Sequence, residues 1–409
     1  MIRLSATGQI PASTTGRIEF LDTLRGIALF GILLVNLYSF GADSIAWTQP
    51  ADRVAWHLKY VLFESKFWSL YALLFGASFY LLTQSTRYTT LGLIRRYFFL
   101  FLIGCLHALF FEGDILMLYA ELSFFLLLLY RLPRKILICL AGALWLSFPI
   151  SHFLVGDRGD DWPAATAEEA REWLTEDRAE HLYSTGTLKE VVAEHAQYLP
   201  ERFWIDYQYP DSGFVVLGVI LIGIVLARSS PWRDHVGRVN NVQKYCALFW
   251  VLGIALMTFE LFLSRSMGYS AFERSESPIL IILLGDIVYL VATLSLTGAW
   301  TISVWLWVAK QPPSILRKCV CAAGQMSLTL YLMQTAVFSM VFYGFGLNQA
   351  FLLDPTGVTT VALIIYAAQL VFARIWLSRY THGPVEWLWR IGTHLEIKPL
   401  KKTLSPRHP

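Results

Sequence analysis

Residues 17–40 read RIEFLDTLRGIALFGILLVNLYSF, a charged helix start that runs straight into a long apolar segment. Glu19 and Asp22 fall in the first turn, where the positive end of a helix dipole favours carboxylates, and Arg25 follows Asp22 at i+3. Apolar residues then continue to Val35, and Asn36 interrupts them. An α-helix turns about 100° and rises about 1.5 Å per residue, so Arg25 and Asn36 share one face roughly 16 Å apart. A guanidinium and a carboxamide are costly against lipid, so this face is expected to point into the protein. The alternative is that Arg25 snorkels to lipid phosphate while Asn36 bonds a neighbouring helix.

The rest of the chain extends this pattern. Hydrophobic residues make up 56% of the 409, charged residues only 15%, and the mean hydropathy is +0.50. Long apolar runs recur from end to end, which predicts an all-α, polytopic membrane protein. The net charge of +3 is small, and the basic residues sit beside apolar runs instead of forming a patch, so nucleic acid is not an expected partner. The first apolar stretch lacks an A-x-A-like cleavage site and is read as retained. Allowing about 20 residues per span, the predicted segments are 22–40, 62–84, 97–111, 115–130, 136–155, 211–228, 245–264, 278–308, 320–343 and 357–378. The segment after Pro278 exceeds a simple span and is expected to be tilted, kinked or extended.

With the N-terminus inside, the cytoplasmic connections hold more than twice as many Lys and Arg as the outer ones, which supports both ends inside. The resulting organisation is a tail (1–21), a five-helix membrane half (22–155), an acidic exterior loop (156–210), a second five-helix half (211–394) and a basic tail (395–409). Within the acidic loop, Thr166 with Glu169 and Thr187 with Glu190 fit capping boxes ahead of short helices, predicting a small helical cap. In RYTHGPVEWLWR, Gly383 and Pro384 reset the backbone before a short helix. Trp387 and Trp389 there suit the headgroup region of the cytoplasmic interface, with Arg390 reaching phosphate.

Polar residues inside apolar spans are functional candidates because hydrocarbon penalises them. Lys66, His107, Asp114, Glu121, Glu260, Asp286 and Arg374 are of this kind. His107 precedes Asp114 across a short turn, and a His beside a carboxylate is the minimum for a general base with an orienting partner. The same pair also suits an interhelical hydrogen bond that holds a hairpin. Gly324, Ser327, Tyr331 and Gln334 recur at spacings of three and four, a stripe that suits helix packing. Tyr331 and Gln334 could also donate to a substrate carbonyl. Cys105, Cys139, Cys246, Cys319 and Cys321 all lie in or beside apolar runs, so neither a disulfide framework nor a metal site is expected. There is no Walker A loop, H-E-x-x-H, G-x-S-x-G or dinucleotide fingerprint, which argues against a built-in ATPase, zinc protease or serine hydrolase.

Two sets of blocks carry a resemblance. RIEFLDTLRGIALFGILLVN, KFWSLYALLFG and GCLHALFFEGDILMLYA resemble the YeiB-like family of bacterial inner-membrane proteins, and AAGQMSLTLYLMQT, GFGLN and WLSRYTHGPVEWLWR resemble the domain of unknown function that defines it. That resemblance implies a multi-pass protein of the bacterial inner membrane. The first-helix pattern is also similar to membrane acyltransferases, including the heparan glucosamine acetyltransferase group, which move an acyl group from cytoplasmic acyl-CoA to an acceptor across the bilayer. Arg25 and Gly26 match the Arg-Gly of that pattern. Asn36 stands where the bacterial sugar-acylating branch carries a His, and His57 is the one His in the loop where the heparan group places its own.

The resemblance thus implies that Arg25, with Arg95 and Arg96, holds CoA phosphates while Asn36 orients the acyl carbonyl. His107 with Asp114, or else His57, would deprotonate a small-molecule or lipid-linked acceptor, and Lys66, Glu121, Tyr331 and Gln334 would line the substrate path. On this reading Arg25, Asn36, His107 and Asp114 converge on one cavity. The alternatives are a transporter or export factor, with Lys66, Glu121, Glu260 and Asp286 as pathway residues, and a non-catalytic membrane scaffold.

Overall fold

The computed structural model describes residues 18–39, 49–86, 88–155, 182–208, 213–229, 239–267, 278–350 and 352–402. The tail through residue 17, the Thr166–Glu169 pair and much of the acidic loop lie outside them. In chain order the helices are α1 (Glu19–Tyr38), α2 (Pro50–Leu58), α3 (Lys66–Thr83), α4 (Thr90–Ala108), α5 (Leu116–Leu129), α6 (Arg134–Val155) and α7 (Leu188–Gln208). They continue as α8 (Gly213–Ser229), α9 (Val239–Met267), α10 (Ile279–Lys310), α11 (Ile315–Gln325), α12 (Ser327–Phe342), α13 (Pro355–Arg379) and α14 (Pro384–His394). Among the described residues the only β-pairing is an isolated bridge between Tyr380 and Lys401, where the chain after α14 returns to the end of α13.

Local signals set several of these ends. Thr89 accepts the Gly92 N–H at 3.1 Å, so α4 starts seven residues before the predicted segment and takes Arg95 and Arg96 into its second turn. Asp354 accepts the Gly357 N–H at 2.7 Å, with Pro355 in the first helical position of α13. The Thr187–Glu190 capping box forms as predicted, with Glu190 accepting the Thr187 N–H at 2.7 Å and Thr187 accepting the Glu190 N–H at 3.3 Å.

Helix α1 is the axis of the bundle. Of its apolar window 72% is buried, against 28% for α9 and for α13, whose outward faces carry residues such as Val251, Phe262, Ile364 and Val371. Among the described residues, helices α1, α4, α10, α13 and residues 242–266 of α9 are long and apolar enough to cross a membrane, and α11 with α12 makes a sixth candidate if counted as one broken span. At about 1.5 Å per residue the unbroken α10 is roughly 48 Å long, well beyond the ~30 Å hydrocarbon core, so it projects past the bilayer, tilts, or both.

Two predicted segments are not single helices. Before α3, residues Lys59–Phe63 form a π-helical turn, and Ser65 takes a left-handed φ of 61°. The segment 320–343 breaks at Met326 into α11 and α12, which meet at 85°. Close packing of α11 on α1 precedes the break. Gly324 lies so near α1 that a methyl group there would overlap the Asp22 carbonyl, and a methyl on Gly26 would overlap that of Val320. Freeing α12 from α11 exposes N–H groups, and Glu386 from α14 accepts those of Leu328 and Thr329 at 2.8 and 3.0 Å.

Helix α14 therefore does more than lie along an interface. Trp389 turns inward, donating to the Arg96 carbonyl at 2.7 Å while the Arg96 guanidinium lies 3.5 Å from its ring centroid. Trp387 donates to the Lys398 carbonyl at 2.7 Å. The headgroup role expected of both tryptophans gives way, for Trp389, to docking on α4.

Candidate functional site

A cavity of about 1020 Å³ opens between α1, α3, α4, α5, the α11–α12 corner and α14. Its walls are largely aromatic, with Tyr71, Phe75, Phe79, Tyr97 and Tyr119, and α14 forms its floor with Glu386, Trp387, Trp389, Arg390 and His394. Arg25 and Asp22 enter from α1, Ser78 from α3 and Arg96 from α4.

The sequence places Arg25 here because Gly26 allows α1 to press against α11, which turns the neighbouring position into the gap between α1 and α3. The Arg25 guanidinium donates to Asp22 at 2.8 Å and to Ser78 at 2.5 Å, using two of its five N–H donors. Its side chain remains 25% exposed, so donors stay available to a ligand. Around the cavity, Arg25, Arg96, Arg390 and Lys398 stand against Asp22, Glu386 and Glu396, four permanent cations to three carboxylates, with His382 and His394 beside them. Burial, together with Arg390, Lys398 and Arg96, holds the His394 imidazole below its ordinary pKa.

The expected convergence on this cavity is only partial. Arg25, Arg96 and Tyr331 line it; Arg95 does not. Ile32 is the last α1 residue to reach it, so Asn36, half-buried one turn further along, lies beyond its end. Gln334 is taken up in packing, donating to Gln369 at 2.9 Å while Gln369 donates to the Leu330 carbonyl at 3.0 Å. The stripe that linked it to Gly324 is interrupted by the Met326 corner.

His107 and Asp114 meet as the spacing suggested, yet behind the cavity wall. Nδ1 of His107 lies 2.6 Å from Asp114 Oδ1, and Asp114 Oδ2 accepts the Met117 N–H at 2.8 Å. Nε2 lies 2.6 Å from the hydroxyl of Thr335 on α12. The three side chains are 4%, 2% and 4% exposed. The Tyr331 ring, on the cavity side, stands 4.8 Å from the His107 ring centre to centre, and its hydroxyl donates to the Gly113 carbonyl at 3.4 Å. On the opposite side α7 covers the hairpin: Arg202 donates to the Asp114 carbonyl, and His195 contacts the Leu109 carbonyl at 3.1 Å.

His57 is elsewhere, on α2, with Nε2 2.7 Å from Arg265 and Nδ1 facing the Arg53 carbonyl. Lys66 starts α3 in a separate buried cluster. It donates to the Tyr60 carbonyl at 2.8 Å, beside Tyr60 itself, which donates to Glu260 at 2.7 Å. Glu121, half-buried on α5, is outside the cavity lining, and Arg374 is exposed on α13.

Sequence reasoning missed Ser78, Glu386 and Thr335. Their sequence surroundings are ordinary for helices, and contacts 53, 58 and 228 residues apart give them their place.

Residues 233–396, which include α9 to α14, match the family described as "Protein of unknown function (DUF418)". The chain is 28% identical over 421 residues to the uncharacterized protein YxaH of Bacillus subtilis (strain 168), covering 96% of this chain and 98% of that protein. It is also 28% identical over 392 residues to the uncharacterized protein YeiB of Escherichia coli (strain K12), covering 90% and 94% respectively. To the uncharacterized 39.9 kDa protein in the amylase 3' region of Bacillus acidopullulyticus it is 26% identical over 408 residues. No solved structure matches the chain. Blocks near both ends of the sequence and these relatives, aligned over most of the chain, agree in making it similar to the YeiB-like, DUF418 family.

Proposed function

We propose that this protein is a transmembrane acyltransferase of the bacterial inner membrane that passes an acyl group from cytoplasmic acyl-CoA to a small-molecule or lipid-linked acceptor at the outer face. The proposed topology has about ten crossings, made by α1, α3, α4, α5, α6, α8, α9, α10, the α11–α12 pair and α13. Both termini are cytoplasmic, in line with the Lys and Arg distribution. The observation that carries the reading is the cavity at the basic end of the bundle, with Arg25 inside and Arg96, Arg390 and Lys398 around α14. Phosphates would meet the cationic floor, and an extended apolar arm would run between the tyrosines toward Tyr331. His107, oriented by Asp114, is the acceptor-side base in this reading, and Asn36 and His57 take no part in the donor site.

Saturable binding of a CoA thioester to the purified protein tests it. Losing a hydrogen bond to a charged group costs about 1.5–3 kcal/mol, so Arg25→Ala should weaken binding on the order of 10- to 100-fold, and added salt should weaken it further. Undetectable binding at millimolar CoA thioester would refute the reading. A transporter or export factor is the second reading, favoured by the buried cluster of Lys66, Tyr60 and Glu260, in which Lys66 and Glu260 are each 1% exposed.

A further inference from the structure

The contact of Thr335 with His107 differs from the usual behaviour of hydroxyls in this bundle. Ser69, Ser123, Ser295, Thr297 and Thr301 each turn back to the carbonyl four residues earlier in the chain, at 2.7–2.8 Å. Thr335 instead reaches across to another helix and meets the imidazole at 2.6 Å. With the ring proton on Nδ1, His107 donates to Asp114 and its Nε2 accepts the Thr335 hydroxyl. The order is hydroxyl, imidazole, carboxylate, the arrangement in which a base activates a nucleophile and a third group fixes the base.

We propose that Thr335 is a covalent relay, carrying the acyl group as an ester between donor and acceptor; this rests on the acyltransferase reading of the cavity. The Thr335 Oγ1 attacks the thioester carbonyl carbon while its proton passes to His107 Nε2. The carbon–sulfur bond breaks, and CoA leaves as the thiol with that proton. An acceptor hydroxyl or amine then attacks the ester carbonyl and gives its proton to His107. The carbon–oxygen bond to Thr335 breaks, and the proton returns to Oγ1. The sum is acyl-CoA plus acceptor giving CoA plus acylated acceptor.

The placement suits such a relay. Tyr331, at the inner end of the donor cavity, precedes Thr335 by one turn of α12, about 5.4 Å. The Tyr331 ring stands between the cavity and His107, so the relay requires it to swing aside. On the far side lie the hairpin at Gly113 and Asp114 and the covering helix α7. Only the acyl group then has to cross the wall between the two sides; CoA and acceptor each stay on their own.

The test uses the full-length protein in lipid nanodiscs with acetyl-CoA and octanoyl-CoA as probes. Binding of each is measured first. A time course of acid-quenched samples, without acceptor, is then mapped by peptide mass spectrometry. The expected result is an acid-stable acyl ester on Thr335, released by alkaline hydroxylamine, kept as a serine ester in Thr335→Ser, and absent from Thr335→Ala and His107→Gln. Binding of either thioester by the wild type with no acyl group on Thr335 at any time, or with acyl on another residue, overturns the relay and leaves the donor-site reading standing. Failure of both thioesters to bind overturns both. Because the deciding signal is read on the wild-type protein, a variant that fails to fold leaves the test intact.

Discussion

Removing the Glu386 side chain should destabilise the protein through a helix to which Glu386 does not belong. Its Oε1 accepts the Leu328 and Thr329 N–H groups at 2.8 and 3.0 Å, and its Oε2 accepts the Thr329 hydroxyl at 2.5 Å. In Glu386→Ala the two backbone donors at the start of α12 lose their acceptor. An orphaned buried donor costs about 1–3 kcal/mol, and Glu386 lines the cavity, so water can reach the corner and the lower part of that range applies. Adding the attraction of a carboxylate for a helix N-terminus, about 0.3–1 kcal/mol, gives an expected loss of roughly 2–4 kcal/mol. Glu386→Gln keeps a carbonyl acceptor and should lose only about 1 kcal/mol, mainly the charge contribution. Equilibrium unfolding in mixed micelles, compared across wild type, Gln and Ala, measures this ladder. If Glu386→Ala fell within about 0.5 kcal/mol of wild type, the typical effect of an inert surface substitution, the broken helix would not depend on this cap.

The remaining predictions concern orientation and pH. Cysteine accessibility labelling in intact cells should reach positions introduced at 160–180 but not at 403–409; the opposite pattern would invert the proposed topology. His394 is held below its ordinary pKa, so between its folded value and about 6.5 the unfolded chain binds more protons than the folded one, and stability rises with pH. The stabilisation is present above the unfolded pKa and is lost as pH falls toward the folded one. His394→Gln should therefore unfold with a flatter pH dependence than wild type between about pH 7 and 5, and identical slopes would remove His394 as the cause.

The class of the protein was legible because bilayer and backbone impose local rules. Apolar runs, the cap at Thr187 and the basic connections can each be read within a few residues, since hydrogen-bond satisfaction and hydrocarbon burial act on contiguous chain. The His107–Asp114 pair was legible for the same reason: a short hairpin joins them. Arg25 could be placed on an inward face, but its cavity could not, because that needs Gly26 and Gly324 to bring α1 and α11 together and α14 to close the floor. The 85° corner at Met326 was hidden inside an apolar run because the carboxylate that stabilises it arrives from residue 386. Likewise the Arg25–Asn36 face was a correct statement about one helix. That the cavity ends at Ile32, one turn short of Asn36, was decided by the packing of the other helices around α1, and no property of α1 alone encodes it.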